Sequence, residues 1–564
     1  MINTRLLFRP RLFSCLKHYS KELFMADLMS GIIVGIVALP LAIAFAIASG
    51  VSPEKGIITA IVAGFLMSFF GGSKVQIGGP TGAFIVIVYG IVQSYGMSGL
   101  ITATMLAGAI LVLMGVFRLG TVIKFIPYPV IVGFTSGIAL TIFATQIPDV
   151  LGLTFSGEKV PGDFVGKLAL YFRYIDTINW WNALVAAASI VIILIAPKIS
   201  KKIPGSLMAI LVVTVCVLLM KNYAGITCID TIGDRFSIKA SMPSAEMPAI
   251  NWAAIQDIFP ISITIAVLAA IESLLSATVA DGMIGDKHDS NTELIGLGIA
   301  NLITPLFGGI PATGAIARTM TNINNGGKTP VAGIVHAVVL LLILLFLMPL
   351  ARYIPMACLA GVLVVVSYNM FGWRSFRGLL KNAKSDVLVL MLTFVLTVLF
   401  DLTIAIGVGL LIACLLFMKR VMETTDISVI TDELNPNTDT DLLQGNAESL
   451  SVPEGVEIYE INGPYFFGIA TKFEDMMTRL HDRPKVRVIR MRKVPFIDST
   501  GIHNLTSLCE MCRKQDIGVV LSGVNPNVRE SLVKTGFSAE LGEENICPDI
   551  YAALRRAGEI TSRQ

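Results

Sequence analysis

The residues best placed to do chemistry in this chain are an arginine and a glutamate set in apolar sequence. Arg318 lies in GGIPATGAIARTMTNINNGG, residues 308–327, among runs apolar and long enough to span a bilayer. An arginine at mid-bilayer costs at least about 2.5–3.5 kcal/mol on insertion scales, so it should face a partner or a wet cavity. Glu272 lies about fourteen residues into an apolar run at 259–281, near mid-membrane if that run is a spanning helix. Ser276 follows one turn on and shares its face. Ser273 and Thr278 lie off that face and read as packing or back-bonding hydroxyls.

An earlier stretch, GGSKVQIGGPTGAFIVIV at 71–88, is built like the one around Arg318. Both follow an aromatic residue and a Gly pair, and both carry a proline shortly before Thr-Gly-Ala (Thr81-Gly82-Ala83 and Thr313-Gly314-Ala315). Two interrupted segments in corresponding halves point to a transporter's binding site. If their helices start near the midplane, the free N–H groups and half-dipoles sum to about +1. Arg318 adds roughly one more charge, so the ligand should be an anion, gripped by the planar guanidinium fork. Pro80 and Pro311 suit helix starts, Thr81 and Thr313 can cap or touch a ligand, and the small residues admit it to the backbone. An ionised Glu272 would cancel part of this field, so a dianion should bind best once that carboxyl holds a cation. Proton-coupled anion uptake follows, with Na⁺ as the competing coupling ion.

The elements that position these residues are read from hydropathy. Apolar residues make up 54% of the 564-residue chain and charged ones 15%, a membrane-protein balance. Fourteen candidate spans precede residue 420: 25–48, 56–70, 78–93, 99–116, 128–147, 182–196 and 204–221, then 259–281, 293–307, 311–325, 331–350, 354–370, 386–400 and 402–419. Seven spans per half is odd, so the second copy must be inverted relative to the first. Lys74, Arg118, Lys124, Lys198, Lys201, Lys202, Lys287, Lys328, Arg374, Arg377, Lys381, Lys384, Lys419 and Arg420 all fall in connections on one side, which sets both termini in the cytoplasm. Residues 1–24 read as a cytoplasmic amphipathic lead-in, 25–420 as the transport domain (repeats 25–221 and 259–420), and 421–452 as a polar linker.

Beyond the linker the period changes. VEIYEING, VRVIRM and IGVVLSGV alternate as strands, and TKFEDMMTRLHD, STGIHNLTSLCEMCRKQ and ESLVKTGF read as helices, an α/β domain at 453–556 followed by a tail at 557–564. Asp498, Ser499 and Thr500 stand at a strand-to-helix turn, as helix caps or, for the two hydroxyls, as regulatory phosphorylation sites. The Cys509–Cys512 pair falls mid-helix, as ordinary helix residues. No metal cluster, nucleophile triad or phosphate loop is apparent in the sequence, so neither an enzyme nor a nucleic-acid binder is expected.

IPATGAIARTMTNINNGGKTPVAG, AAIESLLSATVADGMIGDKHDSNTELIGLGIAN and VPFIDSTG together resemble the SulP family of anion transporters, over residues 20–556. That resemblance implies a fourteen-helix, seven-plus-seven transmembrane domain joined to a cytoplasmic STAS domain. It implies an inner-membrane homodimer working by an elevator-like motion, with a cytoplasmic partner of the STAS domain such as acyl carrier protein. The DGMIGDKHDSNTELIGLG and AIART stretches are most similar to the family's aerobic C4-dicarboxylate transporters, implying proton-coupled uptake of succinate-like anions. Carried over by position, the anion site falls on Gly79, Thr81, Gly82, Ala83 and Phe84, on Thr313, Gly314, Ala315, Ala317 and Arg318, and on Leu41 and Phe45 of the first helix. Many relatives have a Gln where this chain has Leu41. Glu272 and Ser276 occupy the family's cation-site positions, and the longer acid argues for H⁺.

Overall fold

The computed structural model describes residues 8–17, 19–121, 126–158, 160–161, 163–199, 204–223, 225–236, 245, 255–400, 402–430, 433–434, 450–469 and 484–563. The chain forms two compact units, Met1–Ala413 and Cys414–Gln564.

The first unit is a helical bundle. Its first half comprises α1 (Arg11–Leu16), α2 (Lys21–Ala48), α3 (Pro53–Phe70), a short strand β1 (Gly78–Gly79), α4 (Ile85–Val116), α5 (Tyr128–Leu151), α6 (Phe164–Arg173), α7 (Trp180–Ile199), α8 (Gly205–Tyr223) and α9 (Ile232–Arg235). The second comprises α10 (Ile255–Ile284), α11 (Ser290–Ile303), β2 (Thr313–Gly314), α12 (Ile316–Asn324), α13 (Val331–Phe346), α14 (Met348–Ala351), α15 (Met356–Phe371), α16 (Trp373–Leu379), α17 (Lys384–Leu399) and the start of α18 (Leu402–Thr424), whose residues from Cys414 on fall in the second unit. Eight of the described helices are long and apolar enough to cross a bilayer. Each of the fourteen expected spans overlaps a helix, the third and fourth running together in α4 across a break at Gly96, whose φ is +67°. Lys124, Lys201 and Lys202 lie outside the described residues.

The two Gly-rich segments enter from opposite ends of the bundle. Around Gly72, the backbone meets Asp289 and Glu293 at the end that carries α1. Gly308 lies at the other end, beside Lys55 at the start of α3. They cross at β1 and β2, which pair antiparallel with Gly78 opposite Gly314 and Gly79 opposite Thr313. Opposed entry with an antiparallel crossing is the geometry an inverted repeat requires. The expected helix starts are shifted by this pairing: residues 78–79 and 313–314 are extended, so the first helical turn begins at Gly82 and α12 only at Ile316.

In the second unit, β3 (Asp426–Ile430), β6 (Val456–Asn462), β7 (Val486–Arg490), β8 (Gly518–Ser522) and β9 (Ile546–Cys547) form one sheet in that order, while β4 (Glu433–Leu434) pairs with β5 (Leu450–Ser451). Strands β6 to β9 are parallel and β3 is an antiparallel edge. Alternation sorts the core: Tyr459 and Ile461 pack with Leu505 and Leu508 of α19 (Ser499–Lys514), whereas Val456 and Ile458 pack with Ala553 and Leu554 of a C-terminal helix, α22 (Ile550–Arg563). Two short helices, α20 (Pro526–Lys534) and α21 (Phe537–Leu541), lie between. Asp426–Ile430, read from sequence as linker, is thus a strand, because its alternating Ile427 and Val429 complete the core beside β6. The tail read at 557–564 is likewise helical through Arg563 and buries Ala557. Most of the expected linker and the TKFEDMMTRLHD helix lie outside the described residues.

Candidate functional site

The strand crossing brings most of the expected site residues together. Ala315 N donates to Ile77 O at 3.0 Å, extending the β1–β2 pairing by one step. Gly79, Gly82, Ala83, Phe84, Thr313, Gly314 and Ala315 are buried there, whereas Ala317 is exposed. Phe45 of α2 packs toward Gly82: a Cβ on that glycine would lie 3.5 Å from the ring.

Arg318 is the pin of the crossing. Only 2% exposed, it reaches from α12 to the other repeat, donating from Nη2 to Pro80 O at 3.0 Å and from Nη1 to Gly78 O at 3.4 Å. Among the described residues no carboxylate pairs with it, so its charge stands uncompensated beside β1. The fork expected to grip a ligand therefore holds carbonyls of the opposite repeat. Gly79 makes this approach possible: its φ is +152°, and a Cβ there would collide with Arg318 Nη1. Thr313 donates to Ala269 O at 2.8 Å, while the Thr81 hydroxyl is buried without a partner among the described residues.

Helix α10 runs alongside. Ser276 donates to Thr319 Oγ1 at 3.3 Å, and Thr319 Oγ1 also accepts from Ile77 N at 3.1 Å. Glu272 lies between Ala269 and Ser276 on this side of the helix, half-buried, with no hydrogen bond or ion pair to any described residue. Thr278 back-bonds to Leu274 O as expected. Ser273 does not merely pack: it accepts from Gln76 Nε2 at 2.8 Å and donates to Glu293 Oε1 at 3.4 Å.

Sequence reasoning missed the residues that lace the crossing. Glu293 accepts from Gly72 N at 2.7 Å and Ser73 N at 3.0 Å, so α11 of the second repeat holds the entry of the first segment. Reciprocally, Thr59 of α3 accepts from Ile310 N at 2.8 Å in the second segment. Asn301 closes a two-way pair with Ala312, donating to its O and accepting from its N, each at 2.9 Å. Asn322 donates to Val75 O at 2.8 Å. Applying to Glu293 and Asn301 the cost of polar groups in apolar spans, as for Glu272, would have found both.

In the second unit Asp498, not a hydroxyl, caps α19, accepting from Gly501 N at 2.7 Å. Ser499 and Thr500 are exposed and take no part in that cap. Cys509 and Cys512 are buried within α19.

Comparison with known proteins agrees with this architecture. Residues 24–393 match the sulfate permease family and 449–555 match the STAS domain. A Bacillus subtilis protein named "Putative sulfate transporter YvdB" is 42% identical over 94% of this chain and 97% of its own length. The bicarbonate transporter BicA of Picosynechococcus is 29% identical over 94% of both chains. The inward-facing structure of the murine Solute Carrier 26 family member A9 anion transporter superposes with a TM-score of 0.86 at 19% identity, covering 98% of this chain and 94% of that one. Sulfate and bicarbonate, not dicarboxylate, are the anions in those relatives' names. A crossed pair of inverted segments, a buried arginine and these matches lead to one conclusion: the chain belongs to the sulfate permease (SulP) family, a multi-pass anion transporter and not an enzyme, with a C-terminal STAS domain.

Proposed function

We propose that this transporter couples proton entry to uptake of a divalent anion, with C4-dicarboxylates such as succinate and fumarate as substrates, through an elevator-like motion of the crossed segments. The observation that carries the proton step is Glu272: a half-buried carboxyl on the helix that backs the crossing, without a partner among the described residues. Ionised, it opposes the field of Arg318 and the helix starts; protonated, it leaves that field to the anion. Its neighbour Ser276 is tied to Thr319, one residue from Arg318, so the cation and anion elements are one residue apart along α12. Apolar Leu41, at a position that the family resemblance assigns to the site, favours a ligand with an apolar middle over a compact sulfate. A sulfate substrate is the second reading, favoured by the name of the 42%-identical relative. We read the protein as a homodimer of the inner membrane with both termini cytoplasmic, and its STAS domain as the docking site of a cytoplasmic protein such as acyl carrier protein.

The test is uptake into proteoliposomes of succinate, fumarate, sulfate and bicarbonate, each with and without a pH gradient or a Na⁺ gradient. Succinate accumulation driven by inward-directed protons is expected. Glu272→Gln mimics the protonated acid, so it should keep anion binding and lose pH-driven accumulation. Normal accumulation by that variant would remove Glu272 from coupling, and Na⁺-driven bicarbonate accumulation would replace both ions of the proposal.

A further inference from the structure

A chamber of about 380 Å³ lies at the end of the bundle opposite α1, among the ends of α2 and α5 and the helices α6, α9 and α15. That volume is at the lower end of the roughly 300–1,000 Å³ usual for small-molecule pockets. Its charged walls are unequal. Arg235 is paired twice, at 2.7 Å to Asp149 and 3.0 Å to Asp230. Lys167 of α6 is different: it is 3% exposed, lines the chamber, and has no hydrogen-bond acceptor or carboxylate partner among the described residues. What its ammonium meets is the face of Tyr89, 5.3 Å from the ring centroid. A tyrosine face returns less than a buried charge forfeits on leaving water. The nearby Asp163 caps α6, accepting from Gly166 N at 2.6 Å, and makes no ion pair with Lys167. Burial lowers the ammonium's pKa from the ordinary lysine value, with Asp163 working the other way.

The chamber also adjoins the crossing. Helix α2 presents Ala44 to the chamber and the next residue, Phe45, toward Gly82. Helix α4, which begins at the crossing, carries Tyr89 into the chamber wall. A buried ammonium with no ion pair to a described residue, in a cavity of ligand size one residue from the site, offers a docking point to an anion.

We infer that this chamber is an antechamber in which the transported anion, as carboxylate or sulfate, docks on Lys167 before passing Phe45 to the crossing. This rests on the chain's being an anion transporter and on neither the dicarboxylate nor the proton of the proposed function.

The test is electrostatic and independent of which substrate is carried. In the full-length protein in membrane vesicles, Ala48→Cys places a thiol on the chamber wall. Its labelling rates with anionic sulfonatoethyl and cationic trimethylammonioethyl methanethiosulfonate are read by mass spectrometry at that position. The anionic reagent should react faster, and millimolar sulfate or succinate should slow it. Adding Lys167→Gln should lower the anionic-to-cationic rate ratio at least fivefold and abolish the protection, and Lys167→Arg should restore both. A ratio that Lys167→Gln leaves within twofold would overturn the proposal. So would protection that persists without Lys167, or a thiol that neither reagent reaches. Absence of proton-driven uptake in the wild-type protein, with the labelling ratio falling in Lys167→Gln as expected, would count against the proposed function alone.

Discussion

The two crossing segments have nearly the same sequence pattern and different jobs. Around Thr81, the first repeat offers acceptors: the carbonyls of Gly78 and Pro80 and a buried hydroxyl that bonds none of the described residues. Around Thr313, the second repeat offers the donor, Arg318, while its threonine hydroxyl is committed to Ala269 O. One half therefore supplies the charge and the other the cradle that holds it. A duplicated fold provides the crossing; Arg318, present in one copy alone, breaks its symmetry and, in the proposed function, sets the sign of the ligand.

Removing that charge should have the largest effect. Arg318→Ala deletes an uncompensated cation and leaves two carbonyls without their donor, so anion affinity should fall about a hundredfold or more, about 2.7 kcal/mol. Arg318→Lys keeps the charge but cannot reach both carbonyls with one ammonium, so rescue should be partial. Half-saturation measured in uptake assays checks this; a change within twofold for alanine would make Arg318 a structural pin only. Next in size is Gly79→Ala. Its methyl meets Arg318 Nη1 on a backbone that L-residues rarely adopt, a strain of about 1–3 kcal/mol. Uptake should drop at least fivefold, and thermal stability should fall with it.

The threonine pair sharpens the contrast. Thr313→Val removes a bond to Ala269 O and should cost about 1 kcal/mol of stability, seen as a lower melting temperature. Thr81→Val removes a hydroxyl that bonds none of the described residues, so stability should hold while anion affinity falls a fewfold. The reverse outcome, a lower melting temperature for Thr81→Val and weaker binding for Thr313→Val, would exchange the roles of the two halves.

Much of this was legible beforehand because bilayer physics is strict. Apolar runs and basic connections fixed the order of spans, and the rarity of charge in them singled out Arg318 and Glu272. The helix starts at the crossing were misplaced, because two residues on each side pair across the repeats before helix begins. Pairing between residues 78 and 314 is non-local, and no window along the chain reports it. The lacing by Thr59 and Gln76 was missed for the same reason, since each partner lies in another segment, whereas Glu293 and Asn301 carried the burial cost that marked Glu272 and were passed over. In the second unit, β3 was lost in a stretch whose polar composition outweighed five alternating residues.

The smallest expected effect lies outside the crossing altogether. Thr500 is exposed at the start of α19, and Asp498 already satisfies that helix end. Thr500→Asp, as a mimic of phosphorylation, adds a negative charge in the first turn, where the helix dipole stabilises it by about 0.3–1 kcal/mol. The sheet of the second unit should therefore keep its fold, and the new charge should act on partner affinity or transport rate. Arg318, Glu272 and both threonines of the crossing belong to the first unit, so the order of preferred anions should not move. Uptake of succinate, fumarate, sulfate and bicarbonate by the full-length variant, compared with wild type, reads both quantities at once. A uniform change in rate across all four anions fits a regulatory turn. A reordering of the four would mean that the soluble unit shapes the anion site, and the division of labour between charge and cradle would no longer be confined to the two repeats.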